Sequence, residues 1–317
     1  MISRRLLRVK VLQVLYAYYK NDDRSLARAE KELFFSIGKS YDLYHLFLLL
    51  IVDVAHMAEQ KIDAARNKLV PSREDLNPNT RFIDNQLIRQ LAENSQLLAY
   101  ASSNTISWDD HPEFVKRTFD NLVNSELYHD YMHAEETSYE KDQKFVVKFF
   151  SHLLAADEEL YSLLEEKSIY WNDDVEFMLS MVMKTIKKFK KGDNEYASLL
   201  PLFKDSEDEE FAKKLFRKSI ILHEEHQELI KGYTKNWDVD RIAYMDVLIL
   251  EVALSEIVEF TNIPVKVSFN EYLEIAKYYS TKNSSNFING ILDKIVAKYR
   301  QEDKLKKAGR GLMGEVK

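Results

Sequence analysis

The chain has no cysteine, 7 glycines and 5 prolines in 317 residues. Without cysteine there is no disulfide framework, no thiolate-ligated zinc and no iron–sulfur cluster. Glycine and proline each stand at roughly 2%, against about 7% and 5% in average proteins. Sheet folds use those residues in their turns, and nucleotide-binding α/β folds need glycine-rich phosphate loops. The scarcity points to an all-α chain, long enough for two domains or one helical array. Long apolar runs are missing too. Leu46 to Val52 stops at Asp53, far short of the ~20 residues of a spanning helix. No apolar stretch follows the basic start closely enough for a signal peptide, so a cytoplasmic protein without membrane contact is expected.

What is present is charge, unevenly placed. Lys+Arg number 45 and Asp+Glu 52, a net charge of −7. Yet Arg4, Arg5, Arg8, Lys10 and Lys20 open the chain without an acidic residue among them, and Lys304, Lys306, Lys307, Arg310 and Lys317 dominate its end. Screening confines such fields to ~8–10 Å, so an acidic body carrying a basic helix can still bind a polyanion locally. A third run, Lys187-Lys188-Phe189-Lys190-Lys191, is soon followed by the acidic Asp205 to Glu210 and reads as a solvated face.

The three tryptophans share a spacing. Phe82 and Trp108, Phe145 and Trp171, and Phe211 and Trp237 are each 26 residues apart. A shift of 66 also lays Asp142 on Asp208, Phe150 on Phe216, Glu158-Glu159 on Glu224-Glu225 and Asp174 on Asp240. Each unit reads as a helix, a break near the Trp and a second helix, with Asp109, Asp110 or Asp174 placed to cap the helix that follows. This predicts stacked helical hairpins, since one pair cannot bury its own apolar face.

The ends are more distinctive. Leu7, Val11, Val14, Leu15 and Tyr18 form the apolar stripe of a first helix, and Arg4, Arg5 and Arg8 crowd its start, where cations oppose the helix dipole. That placement favours an anionic ligand. Later, Asp240 to Phe260 reads as a long helix, Ser268-Phe269-Asn270-Glu271 as a capping box, and Ser280 to Ser284 as a polar turn. In the last helix Gly290 suggests close helix contact, because a mid-helix Gly costs ~1 kcal/mol against Ala.

Arg4 to Tyr16 resembles the arginine-rich opening of the NusB transcription antitermination family. Asn262 to Glu271 and Ser284 to Ile295 resemble its C-terminal signature, and the resemblance covers roughly residues 1–65 and 208–300. It implies an all-helical fold without catalysis or cofactor. It also implies binding of boxA-type RNA together with ribosomal protein NusE, in support of RNA polymerase elongating through rRNA operons. Carried over, Arg4, Arg5 and Arg8 match basic RNA-facing positions, and Tyr16 an aromatic beside them; such pairs suit phosphate contact and base stacking. Asn283 and Phe287 match the RNA edge, while Asp246 and Phe287 match the surface that receives the protein partner. Two departures stand out: Asn283 replaces a frequent Asp, and Glu251 a common Arg.

The expected organisation is an N-terminal bundle over 1–75, inserted repeats over 76–207, a C-terminal bundle over 208–300 and a basic, disordered tail over 301–317. Glu126-x-x-His129 with His133 is too sparse for a di-iron bundle. His223-Glu224-Glu225-His226 lacks the spacing of a zinc protease helix. No metal and no enzyme are expected. The alternative is a helical-repeat interaction scaffold without RNA binding. An rRNA methyltransferase bearing a similar domain is disfavoured, because no residues are left for a methyl-donor domain.

Overall fold

The computed structural model describes residues 2–22, 24–234 and 243–313, and among them there are fifteen α-helices and no strand. The first helix, α1 (Arg4–Lys20), starts where Ser3 Oγ accepts the Leu6 N–H at 3.2 Å, satisfying one of the donors a helix start leaves over. The second, α2 (Leu26–Arg66), is 41 residues long. By length and composition it could cross a membrane, but 72% of its most apolar stretch is buried inside the protein. It is a core helix.

The repeat is visible in the helix boundaries. Its first copy holds α4 (Gln86–Ala92), α5 (Ser95–Asn104) and α6 (Pro112–Val123), after the short α3 (Arg73–Leu76). After α7 (Glu126–His133), the second copy holds α8 (Tyr139–Lys148) with a π-helical continuation over Phe149–Leu154, then α9 (Glu158–Lys167) and α10 (Val175–Lys188). The third holds α11 (Ser206–Ile221), α12 (His223–Thr234) and α13 (Tyr244–Glu259). Each copy is thus three helices, not the expected two, because the segment ahead of the Trp is itself broken. The breaks at Glu93–Asn94, Ala155–Asp157 and Leu222 fall in register, and α5 lies end to end on α9 under the shift that takes Trp108 to Trp171. Two of the breaks have a local cause. Asn94 accepts the Leu97 N–H at 2.9 Å, and Asp157 accepts the Glu159 N–H at 3.1 Å, so a short polar side chain starts a new helix at the equivalent place. Trp237 and Asp240 lie outside the described residues.

The capping expectation needs correction. At α6 the N-cap is His111, without a side-chain bond, followed by Pro112; the proline's fixed φ suits that position. Asp174 does precede α10, but its carboxylate accepts from Ser40 Oγ instead of from the helix start.

Contacts divide the chain into two compact units, Gly38–Leu202 and Ile2–Ile37 with the described residues from Phe203 onward. In the first, both tryptophans are buried and donate to carbonyls of α2. Trp108 Nε1 reaches the Leu46 oxygen at 2.8 Å, and Trp171 Nε1 the Lys39 oxygen at 2.6 Å. Tyr44 meets Thr185 at 2.6 Å, and Tyr100 donates to Asp42 at 2.8 Å.

In the second unit α13 is the central helix, packed by α1, α11, α12, α14 (Val265–Tyr279) and α15 (Ser284–Gln301). Pro264 is the N-cap of α14, so Ser268 and Glu271 lie inside that helix and form no capping box. Gly290 also differs from expectation: a Cβ there would have nothing within 4 Å, so no close helix contact explains it. Beyond α15 the chain turns back. Ala308 N–H donates to the Thr261 carbonyl at 2.9 Å, Lys307 Nζ to that of Phe260 at 2.9 Å, and Gly311 packs so tightly that a Cβ would overlap the Thr261 oxygen.

Candidate nucleic-acid interface

The three arginines of α1 sit in three different environments. Arg5 is 52% exposed at its side chain and forms two 2.9 Å bonds with Glu271 of α14. Arg4 is half-buried; its Nε donates to Asp208 at 2.8 Å and its guanidinium lies over the Phe211 ring. Arg8 is only 2% exposed. It forms two 2.7 Å bonds with Glu256, whose oxygens also accept from Ser268 Oγ at 2.7 Å and Tyr272 OH at 2.9 Å. Burial would pull the Arg8 pKa down, but Glu256 outweighs it and the guanidinium is held above its ordinary value. The expectation that Arg8 faces RNA is therefore corrected: it is an internal ion pair that fastens α1 to α13 and α14. Of its acidic partners, Glu256 has no place in the sequence reading, and Glu271 enters there only as part of the expected capping box.

At ~100° per residue, Arg5, Tyr16 and Lys20 fall on one face of α1. Tyr16 is 41% exposed and meets Tyr244 edge-on at 5.7 Å, while the Lys20 ammonium lies 4.4 Å from the centre of the Tyr244 ring. Tyr244 begins α13, and two residues on, Asp246 accepts from Ser280 and from Ser284, the latter at 2.8 Å. This brings the Tyr16 end of α1 and the polar turn before α15 to the same end of α13. Asn283, the exposed N-cap of α15, and half-buried Phe287, one turn later, belong to that edge. Asp246 itself is buried with both oxygens engaged, so the carboxylate matched to a partner surface instead braces the turn from inside.

Glu251 is likewise internal. It accepts from His223 Nδ1 at 2.7 Å, and burial raises its pKa. Nearby, burial pushes the His226 imidazole from 6.5 down to about 4, because the charged form is penalised in an apolar site. The unfolded chain takes up this proton near pH 6.5 and the folded one does not, so stability falls as the pH drops from about 6.5 towards 4. At ~1.4 kcal/mol per pH unit, the loss should reach roughly 2–3 kcal/mol. Glu251 acts in the opposite direction, so the informative comparison is between variants. Urea midpoints measured from pH 7 to pH 4.5 should decline less steeply in His226→Asn than in the parent; parallel declines would refute the assignment.

Comparisons with known proteins bear on the family of the chain. The NusB family model matches residues 178–297, reaching back into α10 and leaving Arg4 to Tyr16 outside its span. The chain is 38% identical over 139 residues to the transcription antitermination protein NusB of Salinibacter ruber, across 42% of this chain and 87% of that protein. The protein of the same name from Chloroherpeton thalassium is 42% identical over 84 residues, 26% of this chain and 40% of the relative. That of Alkaliphilus oremlandii is 38% identical over 92 residues, 29% and 67%. No solved structure matches. These relatives are transcription antitermination proteins, and the all-helical fold is common ground. The chain belongs to the NusB family.

Proposed function

We propose that this chain is a cytoplasmic, non-catalytic transcription antitermination factor that binds boxA-type RNA with ribosomal protein NusE. In this reading it acts on the RNA polymerase elongation complex at rRNA operons. The observation that carries it is the shared exposed face of Arg5, Tyr16 and Lys20, continued by Tyr244 and by the Asn283–Phe287 edge. Arginine and lysine neutralise phosphate, and tyrosine offers a face on which an unpaired base stacks. The Arg5–Glu271 pair is no obstacle, since exposed ion pairs contribute about 0–1 kcal/mol and Arg5 can exchange Glu271 for phosphate at little cost. Arg4 is a secondary contact, and Phe287 is shared between RNA and the protein partner.

The test is the Arg5→Ala/Tyr16→Ala double variant, in which no buried group is disturbed. Its affinity for boxA-type RNA should fall at least about tenfold, with a shallower salt dependence and an unchanged melting temperature. Unaltered binding would refute the site. A variant including Arg8 is a poor probe, because it removes a buried ion pair together with any RNA contact.

A further inference from the structure

The lysine run that reads as solvated in sequence takes on another meaning in the first unit. Lys184, Lys187 and Lys188 end α10, and Lys190 and Lys191 follow it; all five are exposed. Lysines at a helix C-terminus often serve its free carbonyls. Here other groups do so. Gln143 Nε2 donates to the Ile186 and Phe189 oxygens at 2.9 and 3.0 Å, and Gln90 Nε2 to those of Lys190 and Asp193 at 3.0 Å each. None of the five ammonium groups is in an ion pair among the described residues.

The nearby carboxylates are Glu140, Asp193 and Glu195, and Asp193 is partly used, accepting the Lys190 N–H at 2.9 Å. Beside the run lies a groove of about 530 Å³, whose lining includes Lys188, Lys190, Asn194 and Tyr196 and also the Asp193 carboxylate, within the size range of ligand-binding clefts. Tyr196 is 67% exposed, a large aromatic ring left in water at the groove.

We propose that the end of α10 and the loop to Ser198 form a binding surface for single-stranded RNA, separate from the face on α1. The lysines supply phosphate contacts as point charges, and Tyr196 supplies a stacking platform for a base. The same lysines could hold an acidic protein, and competition by polyglutamate separates that outcome from RNA binding. This surface does not depend on the boxA reading of the second unit.

The experiment uses the full chain and a fluorescein-labelled twelve-nucleotide poly(U), with anisotropy read across a KCl series. The Lys187→Ala/Lys188→Ala/Lys190→Ala/Lys191→Ala variant should bind at least about tenfold more weakly. Its salt slope should be shallower by roughly 2–3, at ~0.7 per lost phosphate contact. Tyr196→Ala should weaken binding while leaving the slope in place, and ultraviolet crosslinking should mark the peptide carrying Tyr196. All these side chains are exposed, so melting temperatures should stay the same. Binding by the quadruple lysine variant within about twofold of the parent would overturn the proposal. So would absence of the Tyr196 crosslink, or equal competition by polyglutamate, which would mark an acidic-protein site. The Arg5→Ala/Tyr16→Ala variant should keep the Tyr196 crosslink, so loss of boxA-type binding there and failure here are separate results.

Discussion

Glu256→Ala is expected to destabilise the second unit by about 3–5 kcal/mol. The carboxylate is fully buried and accepts four hydrogen bonds, two from Arg8 and one each from Ser268 and Tyr272. Removing it strands the Arg8 guanidinium between the Phe211 and Tyr272 rings, with Glu271 3.6 Å away as the remaining charge partner. An uncompensated buried charge is far more costly than a missing pair, so Arg8→Met/Glu256→Leu should recover much of the loss. Recovery will be incomplete, because the Ser268 and Tyr272 hydroxyls still lose their acceptor. Chemical denaturation of the two variants checks this; a cost below about 1 kcal/mol for Glu256→Ala would show that the pair does not hold α1 in place.

Trp108→Ala should cost a similar amount, about 3–5 kcal/mol, but in the first unit. The indole is 1% exposed, stacks on Phe114 at 5.1 Å and donates to the Leu46 carbonyl. Truncation opens a cavity beside α2 as well as removing the donor. Trp108→Phe should restore most of the loss, because Leu46 still has its own helical hydrogen bond and the ring volume is largely kept. The two variants are compared in a Trp237→Phe background by urea unfolding, so that the fluorescence followed is that of Trp171. Equal losses for Phe and Ala would mean that the hydrogen bond, not the packing, dominates.

Much of the helical architecture is legible in the sequence, for a physical reason. Periodic apolar residues and the Trp spacing report packing directly, and both recur in the boundaries of the three-helix copies. The inner breaks were harder to see: Asn94 and Asp157 are ordinary polar residues until their side chains are found on backbone N–H groups. The candidate site was legible only in part. Arg5, Tyr16, Asn283 and Phe287 are accessible, whereas Arg8 and Asp246 are enclosed. For Arg8 a signal existed, since its position on α1 falls inside the apolar arc between Leu12 and Leu15. The same signal existed for Asp246 and Glu256, which fall inside the apolar arc of α13 between Val252 and Ile257; what the sequence does not mark is their partners, which come from α1, from α14 and its C-terminal Ser280, and from α15. The Ser268–Glu271 spacing misled for the same reason: two residues with capping geometry were already engaged by Glu256 and Arg5.

The paired tryptophans also set the phase of α2. Lys39 and Leu46 are seven residues apart, and two helical turns are ~7.2 residues, so both carbonyls lean toward the same side. One residue inserted between them would rotate one docking oxygen by ~100° away from its indole, whereas seven would return it to the same side, displaced along the axis by about 10 Å. In this stretch α2 behaves as a graduated rod whose length is quantised by the repeats that read it. Related chains should therefore vary here in whole double turns or not at all.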